Sequence, residues 1–305
     1  MIEIWLVTLC WGLSFPLARF LVAELDPLWI TTFRFLLGGL ALFLFFLFKG
    51  EKRKLKIESV RLIIFLAIFE FFLVYFFYLT SIKYLPASKV AALTLTTPVI
   101  VLILDSIFKR KMPLLKILIP FIFATLGAVV LYDKSASHSA DKYNQIIGFI
   151  CIIISNTSFA FANVILRSRM NSSNIFVTGS AQIVAGIMSM IASILVVGAP
   201  NRISTERFAI LIYLSVVATG IGFWFWNRSV NKLGALYPGL ISNLKAPIAA
   251  LLSVLILKES VPVIMWIGIS LLIISASFAK LTIEHKINPT ITVQTNPIRE
   301  SEASS

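Results

Sequence analysis

Apolar runs of about twenty residues recur along almost the whole chain, and no other feature constrains its fold as strongly. A helix that crosses the hydrocarbon core of a bilayer needs about 20 mostly apolar residues. Ten such runs fill most of the 305 residues and leave no room for a soluble domain between them. They cover residues 4–22, 29–48, 62–82, 87–108, 114–132, 146–166, 175–198, 208–230, 236–257 and 263–281. The sequence therefore predicts an all-α integral membrane protein with ten transmembrane helices.

The charged residues fit the same interpretation. Only 13% of the residues are charged and 58% are hydrophobic, whereas a soluble domain carries about 25% charged residues. The formal net charge of +13 would suggest nucleic-acid binding in a soluble protein. With the N-terminus in the cytoplasm, 17 of the 27 basic residues fall on the cytoplasmic side and 8 on the other. The positive-inside rule thus predicts a multi-pass protein of the bacterial cytoplasmic (inner) membrane with both termini cytoplasmic, and no nucleic-acid partner.

Several kinds of chemistry have no residues to support them. The two histidines, His138 and His285, lie in a loop and in the tail, and the two cysteines, Cys10 and Cys151, lie in apolar runs. There is no zinc spacing, disulfide framework or nucleotide-binding motif. We therefore expect no enzyme activity, no metal, no cofactor and no ATP-driven transport. The first run also lacks a carboxylate, which argues against a small-multidrug-type cation exporter.

A weak internal repeat divides the chain. An offset of 149 residues aligns Pro98 with Pro247 and Lys83 with Lys232. Five helices per half is an odd number, so the halves would have opposite orientations, a common basis for alternating access around a central cavity. We predict a first repeat at 1–133, an extracytoplasmic loop at 134–145, a second repeat at 146–283 and a disordered cytoplasmic tail at 284–305. The further matches are Glu70 with Thr219 and Thr96 with Lys245 at offset 149, and Arg34 with Gln182 at offset 148.

The chain resembles EamA-type transporters of the ten-helix drug/metabolite transporter (DMT) superfamily. The resemblance covers roughly 3–281 and is carried by Trp11–Pro16 (WGLSFP), Pro27, Arg34-Phe35, Pro98, Pro247 and Leu257-Lys258-Glu259. The first half departs from the pattern, because Lys109-Arg110-Lys111 stands where the second half has Glu259. The resemblance implies secondary transport of small metabolites, often amino acids and usually outward.

Lys245 is the most informative of the ionisable residues that lie inside predicted helices. Such a residue costs about 2.5–3.5 kcal/mol on insertion scales, so it is expected to face a cavity or a partner. Ser242, Lys245 and Ser253 recur at helical spacing, with Asn243 beside them. The ammonium group would bind a substrate carboxylate or titrate during transport. The alternative is a structural pair with a buried carboxylate.

Glu70 and Arg34 are the other two ionisable residues of this kind. Glu70 would carry a proton during transport, because burial disfavours the charged form of a carboxyl group, or would be the fixed ion-pair partner of Lys245 or Arg34. For Arg34 we expect a structural role, with substrate contact as the alternative. Two cations and one carboxylate favour anionic or zwitterionic solutes over cations.

Polar and aromatic residues on the faces of predicted helices complete the substrate site. Asn156 and Asn163 share one face, and their alternative role is hydrogen bonding between helices. Trp11 and Ser14 share another face, and an aromatic side chain would pack an apolar or cationic part of the ligand. The remaining candidates are Tyr78, Thr97, Trp224 and Asn227.

These residues favour a secondary transporter of small metabolites, with amino acids or related zwitterionic or carboxylated compounds as solutes and export as the direction. Within transport, the alternatives are cationic drugs and adenosyl- or nucleotide-type metabolites. Outside transport, the alternatives are a non-transporting membrane scaffold and a membrane enzyme. The expected partners are the solute and the lipid bilayer, with proton coupling through Glu70, in a monomer or homodimer.

Overall fold

A computed structural model describes residues 2–48, 57–109, 114–131, 142–166, 175–233, 238 and 241–287. Within those ranges every regular element is helical. The α-helices, numbered α1 to α13 in chain order, are Ile2–Val22, Pro27–Phe48, Ile57–Leu66, Leu73–Tyr84, Ala87–Leu93, Thr97–Lys109, Leu114–Leu131, Lys142–Leu166, Ile175–Val196, Thr205–Ile212, Gly222–Leu233, Lys245–Leu257 and Val263–Ile287.

Seven of the described helical stretches are long and apolar enough to cross a membrane. They are Ile2–Val22, Pro27–Phe48, Ser59–Tyr84, Ala87–Phe108, Tyr143–Val164, Ile175–Val196 and Thr205–Trp226. Shorter apolar helices, Leu118–Val130, Lys245–Leu257 and Val263–Phe278, lie where the fifth, ninth and tenth crossings are predicted. The all-α prediction is thus confirmed for the described residues, while the count of ten crossings stays a prediction.

Four irregular segments interrupt the long helices. π-Helical turns at Ala67–Phe72 and Tyr213–Ile221 lie within the third and eighth predicted crossings. A 3₁₀ turn at Thr94–Thr96 breaks the fourth crossing, and a turn at residues 243–244 precedes Lys245 in the ninth. Pro98 and Pro247 then fall in the first turns of α6 and α12, where the missing N–H has no helical partner to lose. Such irregularities leave backbone groups unpaired and often mark functional sites.

Glycines bring α2 close to its neighbours. A Cβ added at Gly38 would lie 2.5 Å from the Ser215 carbonyl oxygen, and one at Gly39 would lie 2.8 Å from the Gly179 carbonyl oxygen. At Gly186, on α9, the added Cβ would lie 2.8 Å from the Leu36 nitrogen. Close backbone approach through small residues is typical of helix packing inside a membrane, where the hydrophobic effect drives no association. These contacts hold α2 against α9 and against the π-helix at Tyr213–Ile221.

The distribution of side chains is that of a membrane protein. Large apolar residues such as Phe48, Leu195 and Val263 are more than three-quarters exposed on the outside of the bundle. The interior holds many buried hydroxyl groups, and most of those with a described bond donate to helix carbonyls; Ser189 Oγ, for example, donates to Leu28 O at 2.8 Å. These bonds lower the cost of placing polar groups inside the bundle.

The predicted segment boundaries fall partly inside helices. Helix α8 begins at Lys142, so the end of the predicted 134–145 loop is helical. Helix α13 continues to Ile287, so the start of the predicted disordered tail at 284 is helical as well. The rest of both segments, 134–141 and 288–305, lies outside the described residues.

Candidate functional site

The break in the ninth predicted crossing places Lys245 at the first position of α12. The turn is held by two backbone bonds, Leu244 N to Ile241 O at 2.9 Å and Ala246 N to Asn243 O at 3.2 Å. The Lys245 side chain is half-buried, and its Nζ lies 5.8 Å from the centroid of the Trp11 ring. Among the described side chains no carboxylate pairs with Lys245. Thus the structural alternative, a fixed ion pair, is absent from the described part of the protein.

One buried hydrogen-bond donor at this break has no acceptor among the described groups. Asn243 is buried, its Oδ1 accepts a bond of 2.9 Å from Lys280 Nζ, and its Nδ2 has no acceptor. Lys280 and Lys245 are close enough to repel each other electrostatically. An unpaired buried donor costs about 1–3 kcal/mol, so the arrangement suits a ligand that brings acceptor oxygens. Two ammonium groups and one amide donor match a carboxylate.

Trp11 forms an aromatic wall beside Lys245. Its Nε1 donates to Ala218 O at 2.9 Å, which fixes the ring, and its centroid lies 5.5 Å from that of Phe223 and 5.4 Å from that of Trp226. Trp224 points elsewhere and contacts Phe45 and Phe225. The structure therefore brings Trp226, rather than the predicted Trp224, next to Trp11.

Arg34 lies in a second polar cluster. It is 1% exposed, its Nε donates to Thr219 Oγ1 at 3.0 Å, and its guanidinium lies 4.7 Å from the centroid of the Tyr75 ring. Its Nη1 and the hydroxyl of buried Tyr78 have no hydrogen-bond partner in the protein. Arg34 comes from the first half of the chain and Thr219 from the second, so this contact crosses between the halves.

Glu70 lies in the π-helical turn Ala67–Phe72 and is half-buried. Among the described residues neither Lys245 nor Arg34 forms an ion pair with it, so the structure gives no support to a fixed ion pair. The reason is geometric: Arg34 is directed to Thr219 and Tyr75 and Lys245 to Trp11. The predicted proton-coupling role of Glu70 stays a prediction.

The remaining predicted residues have varied surroundings. Asn156 is buried and donates to Leu93 O at 2.8 Å and to Thr96 Oγ1 at 2.9 Å, so its amide supports the break in the fourth crossing. Asn163 and Ser14 donate within their own helices, to Phe159 O and Cys10 O. Ser242 is buried beside Asn243, and Thr97 is half-buried at the start of α6. The side chain of Asn227 lies outside those that the structure describes.

Sequence reasoning missed five residues that the structure brings into these clusters: Lys280, Tyr75, Thr219, Phe223 and Trp226. Lys280 lies at the end of the tenth apolar run, 263–281, where a lysine is ordinarily an interfacial residue, so it was not a candidate. Tyr75 lies three residues before Tyr78, a helical spacing that could have linked the two. Nothing in the sequence distinguishes Trp226 from Trp224 without the helix rotation.

Contacts between the two halves join the helices at one end of the bundle. Glu259, after α12, accepts bonds from Ala87 N at 2.9 Å, Ser88 N at 3.2 Å and Ser88 Oγ at 2.6 Å at the N-terminus of α5. At the same end Arg207 pairs with Glu24 at 3.1 Å, and Trp29 Nε1 donates to Gly198 O at 3.0 Å. We call this set of contacts the latched end.

Known proteins share this sequence pattern. The model of the EamA-like transporter family matches residues 1–133 and 146–280. A biotin transporter of Escherichia coli (strain K12) is 24% identical over 259 residues, covering 82% of this chain and 83% of that protein. A probable biotin transporter of Pseudomonas aeruginosa is 22% identical over 260 residues, covering 83% and 87%. An uncharacterized transporter of Archaeoglobus fulgidus is 24% identical over 229 residues, covering 73% and 77%.

The fold is shared as well. A solved crystal structure of a protein matches with a TM-score of 0.66 at 15% identity, covering 92% of this chain and 95% of the other. The apolar helices and the transporter relatives together show a multi-pass membrane protein. Because the family model matches most of the sequence, the chain belongs to the EamA-like transporter family.

Proposed function

We propose that the protein is a secondary transporter that carries a small carboxylated solute, which binds through its carboxylate at Lys245. The observation that carries the proposal is an ammonium group at a helix break, beside an unpaired Asn243 donor and without a carboxylate partner among the described side chains. A buried cation of this kind is costly unless an anion reaches it. The N-terminus of α12 adds a favourable dipole for that anion.

The groups around Lys245 favour some carboxylated solutes over others. A zwitterionic amino acid would bring an ammonium group into a site that already holds the amino groups of Lys245 and Lys280, which interact unfavourably when both are charged. Biotin, which the names of several relatives give as the transported compound, has a carboxylate and no ammonium group. Its apolar chain and ring suit the wall of Trp11, Phe223 and Trp226. We therefore propose monocarboxylates of this kind first, and amino acids, the sequence-based prediction, second.

The proposed mechanism is alternating access by two inverted repeats. Equivalent elements of the halves pack on each other, α2 on α9 and α7 on α13. The breaks at Thr94–Thr96 and at residues 243–245 are separated by the offset of 149 residues, as the aligned prolines are. A pair of interrupted helices at corresponding positions is typical of a transporter binding site. The latched end would open as the other end closes.

Solute counterflow in proteoliposomes tests the proposal. Vesicles loaded with unlabelled biotin should accumulate labelled biotin, and Lys245→Ala should reduce the initial rate at least tenfold, because the carboxylate loses its ammonium partner. Lys83→Ala, an exposed lysine at the end of α4, is the matched control and should retain the rate. Counterflow does not depend on the net direction, so it tests the solute separately from the predicted export.

Three results would contradict parts of the proposal. A Lys245→Ala protein with the full counterflow rate would remove Lys245 from the site. Competition by amino acids but not by biotin or valerate would reverse the order of the two solute classes. Counterflow of no carboxylated solute would favour the scaffold alternative.

A further inference from the structure

Arg34 is a buried cation with an unused hydrogen-bond donor. The guanidinium group has five N–H donors and no acceptor. Nε is taken by Thr219 Oγ1 and the plane is covered by the Tyr75 ring, but Nη1 meets no acceptor. None of the described carboxylates pairs with Arg34. Buried donors are nearly always satisfied in native proteins, so one without a protein acceptor is available to a water molecule or to a ligand.

Tyr78 supplies a second unused group at the same place. Its side chain is 7% exposed and its hydroxyl has no partner in the protein. It lies one helical turn from Tyr75, whose ring packs against the guanidinium, and the charge of Arg34 acts on it electrostatically. The guanidinium of Arg34 on α2 and the phenol of Tyr78 on α4 are thus close enough to interact, and neither Nη1 nor the phenol hydroxyl has a hydrogen-bond partner of normal geometry among the described groups.

This cluster is joined to the Lys245 site by shared supports. Trp11 bonds to the carbonyl of Ala218 and Arg34 to the hydroxyl of Thr219, which are consecutive residues of the π-helix Tyr213–Ile221. The Phe223 ring contacts both Trp11, at 5.5 Å, and Tyr75, at 6.3 Å. A continuous aromatic surface therefore runs from one cluster of donors to the other.

The two clusters differ in charge. At the Lys245 end two ammonium groups are close together. The Arg34 end has one cation, the guanidinium, beside the neutral phenol rings of Tyr75 and Tyr78. The first cluster suits an anion, and the second suits a neutral group that accepts hydrogen bonds.

We propose that Arg34 Nη1 and the Tyr78 hydroxyl form a second polar subsite that binds a neutral carbonyl group of the solute, such as a ureido or amide oxygen. The transported solute then has a carboxylate at one end, an apolar middle and a neutral carbonyl at the other end. This inference rests on the proposed function, because it takes Lys245 as the carboxylate site.

Binding of three probes to the purified protein in nanodiscs tests the subsite. Biotin carries the carboxylate and the ureido carbonyl, valerate carries the carboxylate alone, and adipate carries two carboxylates. Tyr78→Phe should weaken biotin binding roughly five- to tenfold, as expected for one lost hydrogen bond in a buried site, and should leave valerate binding unchanged. Tyr84→Phe, a half-buried tyrosine of the same helix, should change neither.

The Tyr78→Phe variant is expected to fold, because the hydroxyl that it removes bonds to nothing in the protein. Arg34→Lys provides a second test: it keeps the charge but loses the planar guanidinium, so it should also lower the ratio of biotin to valerate affinity. Thermal unfolding of each variant checks the fold independently of ligand.

The possible results of these binding measurements distinguish the proposed subsite from the proposed function. An unchanged ratio of biotin to valerate affinity in Tyr78→Phe would overturn the subsite, while loss of all binding in Lys245→Ala would leave the proposed function standing. Wild-type protein that binds adipate more tightly than biotin would overturn the assignment of a neutral group. Wild-type protein that binds none of the probes would overturn the proposed function and this inference with it.

Discussion

Glu259 is the residue whose replacement should most clearly shift the protein between its conformations. Its carboxylate belongs to the second half of the chain, and the three donors that it binds, at Ala87 and Ser88, belong to the first. Opening the latched end must break all three bonds. The Glu259→Gln variant keeps the size of the side chain but removes its charge and one acceptor oxygen.

The expected effect follows from these contacts. Hydrogen bonds to a charged group contribute about 1.5–3 kcal/mol each, and a charge at a helix N-terminus adds about 0.3–1 kcal/mol. Glutamine can still accept from one N–H, so part of the interaction remains. We expect a loss of about 2 kcal/mol from the closed state, a shift of roughly thirtyfold in the ratio of closed to open molecules. Only contacts that differ between the two states contribute to that shift.

Electron–electron double resonance measures this shift directly. Spin labels at the exposed positions Lys83 and Ser260, on the two sides of the Glu259 contact, should show a single short distance in the otherwise wild-type protein. Glu259→Gln should add a longer distance. Glu206→Gln, which removes an exposed carboxylate near the same end, is the control and should not. Identical distance distributions for Glu259→Gln and the wild type would refute the reasoning.

Three further predictions follow from single contacts. Asn156→Ala should lower stability by about 2 kcal/mol, measured by thermal unfolding, because it removes two hydrogen bonds at the helix break, to Leu93 O and to Thr96 Oγ1, although Leu93 O keeps its bond from Thr96 Oγ1. Gly38→Ala should destabilise the bundle by about 1–3 kcal/mol in the same assay, because its Cβ would lie 2.5 Å from Ser215 O. Glu70→Gln should retain counterflow but lose the response to an imposed proton gradient, if Glu70 carries the proton.

These three predictions have their own controls and contrary results. Asn163→Ala removes an amide that bonds only within its own helix, so a loss equal to that of Asn156→Ala would mean that the helix break needs no support. A fully stable Gly38→Ala protein would show that α2 can move away from the π-helix. An unchanged gradient response in Glu70→Gln would remove Glu70 from proton coupling.

The helical architecture could be predicted because the bilayer fixes the length of an apolar run. In the membrane interior an α-helix is the simplest structure that pairs every backbone N–H and C=O group. Apolar runs such as 4–22 and 29–48 could therefore be assigned directly as helices. The free-energy cost of placing a charge inside the membrane identified Lys245, Arg34 and Glu70 as candidates, since a charge in a predicted crossing needs a partner or a function. The prolines at 98 and 247 were aligned positions of the two halves in the sequence, and the structure places a helix break just before each of them.

The partners of those charges could not be predicted, because hydropathy specifies that a helix crosses the membrane but hardly specifies its rotation. Trp226 faces Trp11 while Trp224, two residues earlier, does not, and this depends on the rotation of α11. Arg34 reaches Thr219 across 185 positions of the chain, and Lys280 reaches Asn243 from another helix. The sequence by itself determined the apolar helices and the rare charges within them. The tertiary structure decided which of those charges meet, because contacts between helices depend on side-chain packing across the bundle rather than on the composition of any one helix.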